Sequence, residues 1–347
     1  MVLSGRRPAV TAPPAADAID LVYLWCDATD EAWRRKKEAV ARKYGLADGN
    51  FANASYRFVS NDDLRYSLRS LDMFAPWIRR VFVLMDYDNR PPPWLDASNG
   101  RLALVRLGDF MPSELLPCFC SPTIEHYLPR VPGLSNRFIY ANDDMMFGRN
   151  VQPSFFFSED GFPICRFAGR AHRLDWEPKN DYHSQIKRAA EVVLAANPKP
   201  RRDLMNALVR LPHHNMDAYR RDDLADAFAK YEAEITATMD YPFRSPGNVQ
   251  RVLYLYEALA RGRGHYRLAR TGTGSGRLQW FKNLLRRPYA DSLQFVRAKW
   301  RLGPSMLARW NPGLFCFNDT KGITDDDRRW LRGVYESMFP RKSSFEK

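Results

Sequence analysis

Arg137-Phe138-Ile139-Tyr140-Ala141-Asn142-Asp143-Asp144 is the stretch on which the fold turns. Residues 137–141 are mostly large and apolar and read as a buried strand, which runs straight into an amide and two carboxylates. Upstream, residues 19–25 form a second such run, ending in the polar turn Cys26-Asp27-Ala28-Thr29-Asp30. A charged helix is expected over 31–44. Asp62-Asp63 is placed to cap a helix carrying Leu64, Leu68 and Leu71 on one stripe and Arg65 and Arg69 on another, with Pro76 closing it. Strands are expected over 78–85 and 102–107, and a short helix carrying Glu125 over 122–128. Short strands alternating with helices predict an α/β fold with a largely parallel sheet, and ligands of such sheets sit beyond the carboxyl ends of the strands. Both acidic turns, Asp27/Asp30 and Asp143/Asp144, follow strands in this way.

Beyond Gly161 the pattern becomes mainly helical, with helices expected over 184–196, 221–238 and 248–261. Residues 270–277 are a glycine-rich loop that follows no clear strand, so a mobile loop is favoured over a phosphate cradle. The resulting division is a mobile tail over 1–18, an α/β core over 19–165, a mainly helical insertion over 166–310, and a return to the core with a closing helix over 311–347.

The chain has 347 residues, 45% hydrophobic and 13% aromatic, enough to bury a sizeable core. No apolar run approaches the roughly 18 residues needed to span a bilayer. The first residues lack the apolar centre of a secretory signal. Five scattered cysteines make neither a zinc ribbon nor a disulfide framework, which points to a reducing cytoplasm. The net charge of +13 reads either as solubility or as attraction to a polyanion, and arginines crowd residues 261–309. No helix-turn-helix, zinc-finger or RNA-recognition signature accompanies that charge, which weighs against nucleic acid.

Two carboxylates at a strand end suit a divalent cation bound to a diphosphate, because magnesium favours one or two carboxylates together with substrate oxygens and water. Neighbouring side chains on a regular strand point to opposite faces, so both serve one site only if the strand ends there or the two roles differ. The alternative is a solvated turn. His213 and His214 offer a neutral imidazole as proton acceptor, or a surface pair. Arg244 would brace phosphate oxygens, or be a surface charge. Asn318-Asp319, behind the apolar residues 314–317, repeats the pattern of strand followed by acid.

Taken together the segments resemble the Stealth family of sugar-phosphate transferases, which includes capsule and exopolysaccharide phosphotransferases and N-acetylglucosamine-1-phosphotransferase. Residues 19–30 resemble the first of its four blocks. The second is the most specific: Asn61-Asp62-Asp63-Leu64-Arg65-Tyr66-Ser67-Leu68-Arg69-Ser70, then 75–78, 116–125 and 138–148. Residues 212–221 with 244–250 resemble the third, and 315–319 the fourth. Cys120 departs from the asparagine or serine often found at its position, and the histidine spacing of the third block leaves His213 and His214 both open.

The resemblance implies a glycosyltransferase-A-like (Rossmann-like) nucleotide-sugar domain. It implies magnesium or manganese and a nucleotide-sugar donor, a UDP-sugar in first place. Asp143 would hold the metal and Asp144 would stand at the reacting centre, with Glu125, Arg244 and His214 as further catalytic positions. Trp25, Asp27 and Asp30 would hold the nucleotide, Arg65 would reach donor phosphate, and Asn318 and Asp319 would complete the donor site. The implied reaction moves hexose 1-phosphate onto a sugar hydroxyl. The rival readings are a metal-dependent glycosyltransferase releasing nucleoside diphosphate and a non-catalytic basic glycan-binding module. A glycan acceptor is implied as partner, with peripheral contact to an anionic membrane or a lipid-linked glycan at its inner face.

Overall fold

The computed structural model describes residues 18–46, 58–169, 171–271, 289–319 and 322–347. The expected tail and most of the glycine-rich loop lie outside the described residues.

The central sheet has five strands. Strand β1 (Ile19–Leu24) lies between β2 (Val81–Met85) and β4 (Arg137–Asn142), with β3 (Leu102–Arg106) beyond β2. These four are parallel, and β1 matches β4 from Ile19 opposite Arg137 to Leu24 opposite Asn142. An antiparallel strand, Asp217–Arg220, closes the far edge against β4. Both faces are covered, which is why the strands read as unbroken apolar runs. Val22, Phe82, Leu84, Phe138 and Tyr140 face one core. Leu21, Tyr23, Val81, Val83, Ile139 and Ala141 face the other, against Leu64, Leu68 and Leu71 of α2 (Asp63–Phe74). α1 (Glu31–Lys43) precedes α2 in the chain, with Asp30 as its N-cap.

The strand carrying Asn142 stops there. The chain turns through Asp143 and Asp144 and resumes as β5 (Met145–Phe147), the edge of a second, three-stranded sheet with Leu314–Asn318 and Ser292–Val296. Ser67 Oγ donates to Met145 O, and Ser70 Oγ accepts from Phe147 N at 3.0 Å, so α2 fixes the turn from behind. The short α3 (Ser121–His126) enters ahead of β4.

The segment expected to be a helical insertion does carry helices: α4 (Asp181–Ala196), α5 (Arg202–Leu208), α6 (Arg221–Lys230), α7 (Glu232–Thr236) and α8 (Val252–Arg261). It also carries strands, one of which is the antiparallel edge of the central sheet, so the segment is woven into the core. The helix expected over 221–238 is broken at Tyr231, and α8 begins four residues later than expected because Asn248 Oδ1 accepts Ser245 N at 2.7 Å in the preceding turn. Gly262, with φ 69°, ends α8 in the left-handed conformation that favours glycine. Asp62 is not a side-chain cap: its φ is 64°, and it is the neighbouring Asp63 that accepts Asn61 N, at 3.0 Å. No helix among the described residues is long and apolar enough to cross a membrane.

Candidate active site

A cavity of about 290 Å³ opens where all four parallel strands end. Leu24 ends β1 and leads into Trp25 and Cys26, Asp86 follows β2, Leu107 follows β3, and Asn142 ends β4 and leads into Asp143 and Asp144. Trp25, Trp33, Phe58 and Phe119 give it an aromatic wall, in which Trp33 lies 5.5 Å from both Phe58 and Phe119.

One end of the cavity is acidic. Asp63, Asp143, Asp144 and Asp319 all line it. Burial, then Asp63 and Asp144, push the Asp143 carboxyl well above its ordinary range. Burial, then Asp63 and Asp319, raise Asp144 to about 7, and Asp63 rises to about 6 by burial and the charge of Asp319. Asn318 Nδ2 donates to Asp144 Oδ2 at 2.7 Å, but the enclosed Asp144 Oδ1 has no hydrogen-bond partner among the described residues. An oxygen-rich cluster strained by its own charge, with an unused carboxylate oxygen, fits a hard divalent cation. Among the described residues no three acidic, histidine or cysteine side chains form a ready metal cage.

The other end is basic. Arg251 lies against Tyr140, 4.7 Å from the ring centre, and spans Glu125 Oε2 (3.4 Å) and Asp217 Oδ2 (3.1 Å). Tyr140 donates its hydroxyl to Glu125 Oε1 at 3.0 Å. Asp217 also meets His213 Nε2 at 3.2 Å, and His213 Nδ1 meets Ser292 Oγ at 3.1 Å. Arg244 differs: its side chain reaches the Ser121 hydroxyl, and among the described residues it forms no ion pair with a carboxylate. Of the two arginines lining the cavity it is the one without a carboxylate partner among the described residues.

His214 stands between the two ends. Its Nε2 lies 3.1 Å from Asn318 Nδ2, and Tyr182 meets its ring edge-on at 5.8 Å. Burial, followed by the charges of Arg251, His213 and Arg244, lowers it to about 4. It is a neutral imidazole whose Nε2 is taken up by the asparagine.

The family model for Stealth protein CR2, conserved region 2, matches residues 57–164, the span that supplies Asp63, Glu125, Asp143 and Asp144. An exopolysaccharide phosphotransferase, CpsY of Mycobacterium tuberculosis, is 35% identical over 263 residues, covering 73% of this chain and 47% of that protein. The chain belongs to the Stealth family. Another relative, the exopolysaccharide phosphotransferase SCO6023 of Streptomyces coelicolor, is 34% identical over 338 residues, 95% of this chain and 52% of its own. The capsular polysaccharide phosphotransferase SacB of Neisseria meningitidis serogroup A is 31% identical over 249 residues, 71% and 43%. The chain thus spans about half the length of these curated Stealth relatives. Among solved structures, the galactosyltransferase LgtC with donor and acceptor sugar analogs overlaps 94% of this chain and 96% of its own at 10% identity and a TM-score of 0.42.

Within this Stealth fold, Trp25, Glu125, Asp143, Asp144, His214, Arg244, Asn318 and Asp319 all line the one cavity. Of the two histidines, His214 is the one facing it, and His213 is sealed behind. Three expected donor contacts lie elsewhere. Asp27 shapes its own turn, accepting Thr29 N at 2.9 Å. Asp30 caps α1 and holds Arg90 N at 3.1 Å. Arg65 pairs with Glu346 at 2.7 Å and lies over Trp94, and Arg69 pairs with the same carboxylate, so neither is free for phosphate. The crowded arginines of 261–309 are also largely engaged where described: Arg261 with Asp226, Arg263 with Asp223, Arg270 with Asp291 and Arg301 with Asp327.

Arg251 and Asp63 escaped the reading of the sequence. Asp63 resembled a helix cap. Arg251 sits one residue past the third Stealth block, and its partner Glu125 lies 126 residues away, a pairing that no local pattern displays.

Proposed function

We propose that this chain transfers a sugar phosphate from a nucleotide sugar to a glycan hydroxyl, joining the two as a phosphodiester. The observation that carries the reading is the polarity of the cavity: an acidic end built on Asp143 and Asp144 faces Arg244, which lacks a carboxylate partner among the described residues, at the carboxyl ends of the parallel strands. The names of the Stealth relatives support the same chemistry.

In this reading the aromatic wall of Trp25, Trp33, Phe58 and Phe119 receives the nucleoside, and the diphosphate lies between the two ends. Asp143, with Asp144 beside it, would hold a magnesium or manganese ion, whose contribution when bound is to neutralise diphosphate charge. Arg244 places a guanidinium against the non-bridging oxygens of the β-phosphate, where charge changes most during phosphoryl transfer. The acceptor oxygen bonds to the β-phosphorus, the bond from that phosphorus to the bridging oxygen breaks, and nucleoside monophosphate departs. The carboxylate of Asp144 takes the acceptor's proton. His214 is a poorer base because Asn318 occupies its Nε2 and its neighbours disfavour the charged form, so its part is to position Asn318. Glu125 fixes Arg251 and Tyr140, which form the floor under Arg244.

The test is incubation with a panel of nucleotide sugars, beginning with UDP-sugars, a glycan acceptor and magnesium. Nucleoside monophosphate release and a phosphodiester signal in the phosphorus NMR spectrum of the product are expected. Release of nucleoside diphosphate with no phosphorus in the product would replace this reading with an ordinary glycosyl transfer. Salt-dependent glycan binding without consumption of donor would reduce the chain to a binding module. The basic surface adds a further proposal, peripheral contact with an anionic membrane or a lipid-linked acceptor, to be checked by vesicle co-sedimentation at low and high salt.

A further inference from the structure

Two glutamines line the cavity and have no part in the reaction proposed above. Gln185 lies on α4, nearly one turn beyond Tyr182, and both residues line the cavity. Gln250 sits just ahead of α8, beside Arg251. Both glutamines are buried, and each has one half of its amide fixed by the backbone. Gln185 Nε2 donates to Ser245 O at 2.8 Å, and Gln250 Oε1 accepts Val252 N at 2.5 Å. The other halves, Gln185 Oε1 and Gln250 Nε2, form no hydrogen bond among the described residues, and neither is sealed in protein. Each therefore opens onto the space that its residue lines. The cavity thus holds one free acceptor and one free donor group, both already oriented by bonds to the main chain.

Their place in the chain sets what they can read. Ser245, which Gln185 holds, directly follows Arg244, and Gln250 ends the same short segment. In the proposed transfer Arg244 meets the β-phosphate, and the sugar to be moved is bonded to that phosphate. We infer that Gln185 and Gln250 bind hydroxyls of the transferred sugar and so select it. The amide oxygen of Gln185 accepts from one hydroxyl, and the amide nitrogen of Gln250 donates to another. The substrate class this commits to is a neutral hexose or N-acetylhexosamine. A uronic acid would bring a second anion to this end, where Arg251 is already held by Glu125 and Asp217, and an unpaired buried carboxylate is costly. The inference rests on the transfer reading above, which places the phosphate at Arg244.

The experiment is calorimetric titration of the full chain, with magnesium, against UDP- and GDP-linked sugars. The panel holds neutral hexoses, N-acetylhexosamines, a uronic acid, and deoxy analogues of the tightest binder. Each affinity is divided by that of the matching nucleoside diphosphate, so that only the sugar's share is read. It is run on wild type, Gln185→Met and Gln250→Met, near-isosteric changes that remove the amide, with circular dichroism to show that each is folded. In wild type a neutral sugar should bind more tightly than its bare diphosphate, and the uronic acid should not. Each variant should lose about tenfold in affinity for that sugar, the equivalent of one hydrogen bond, and keep wild-type affinity for the diphosphate. Should a variant not fold, the deoxy analogues on wild type decide: removing the hydroxyl that is read should cost about tenfold or more. In turnover the variants should raise the donor KM and leave the acceptor KM as in wild type. Sugar affinity indifferent to both changes, an equal loss for sugar and bare diphosphate, or a panel in which no sugar exceeds its diphosphate overturns the inference. So do deoxy analogues that all bind like their parent, or a shift confined to the acceptor KM, which would give the amides to the acceptor. The two readings fail separately. If sugar affinity depends on the glutamines but no nucleotide sugar yields monophosphate, the selection of sugar stands and the transfer reading falls.

Discussion

Replacing Asp144 by asparagine should stabilise the metal-free protein while abolishing its turnover. The carboxyl is raised from 3.8 to about 7 by burial and by the charges of Asp63 and Asp319. An acid whose folded-state pKa lies above its unfolded value weakens the fold. The cost is absent below about pH 4, grows as the pH climbs between the two values, and is complete above the folded one. A rise from 3.8 to about 7 corresponds to ~4 kcal/mol at full ionisation. The amide keeps the carboxylate's shape and can still accept from Asn318, but its own N–H groups need partners, leaving a net gain of ~2–4 kcal/mol. With a melting entropy of about 0.7 kcal/mol per kelvin for a chain of this length, Tm at pH 8 should rise by ~3–5 °C. At pH 5 most of that gain should vanish. The assay is scanning calorimetry in chelator from pH 5 to 8, followed by the same scan with magnesium, which should stabilise wild type more than the variant. Loss of the proton acceptor should lower kcat by ~10²-fold or more. A variant whose Tm at pH 8 equals or falls below that of wild type, with no dependence on pH, would show that this carboxylate is under no repulsion. Asp144 would then hold no charge in reserve for a cation or a proton.

The other predictions follow from the basic end and from the far side of α2. Arg244→Ala should cost ~10²–10³-fold in kcat with little change in Tm, since in the proposed reaction its guanidinium serves the substrate, and Arg244→Lys should recover part of it, as steady-state kinetics would show. Arg251→Ala strands the buried carboxylates of Glu125 and Asp217 and should destabilise by ~3–5 kcal/mol in urea titration. Adding Glu125→Gln to that variant should return ~1–3 kcal/mol, because the two residues are coupled. Burial raises the Glu346 carboxyl, but Arg69, the Ser343 N–H and Arg65 together hold it down to about 2. Its stabilisation is therefore complete above about pH 5 and lost as the pH falls towards 2. Glu346→Gln should lower Tm at pH 7, and the deficit should shrink at pH 3 and close only as the pH reaches about 2, read by calorimetry.

The central strands were legible in the sequence because both sheet faces are covered. Residues 19–25 and 137–141 carry no alternation that a solvated face would impose, and strand followed by acid then located the cavity floor. The turn at Asp143 and Asp144 ends β4, which answers how adjacent side chains can share one site. The parts that misled are those in which a local pattern has a distant partner. Arg65 and Arg69 stand one turn apart like a phosphate grip, yet their carboxylate lies 281 and 277 residues further on. Asp30 follows a strand as Asp143 does, but it also precedes a helix, and there the helix's free N–H groups claimed it.

Arg251 is both cation and mortar. Locked between two acids and laid flat on Tyr140, it lends the chamber a rigid floor without a spare positive charge to offer a guest. Substrate preference cannot drift at that position without loosening the antiparallel edge strand that carries Asp217. Divergence in ligand preference should instead concentrate on the rim, in the rings around Trp33, where a changed side chain reshapes a contact and leaves the foundations alone.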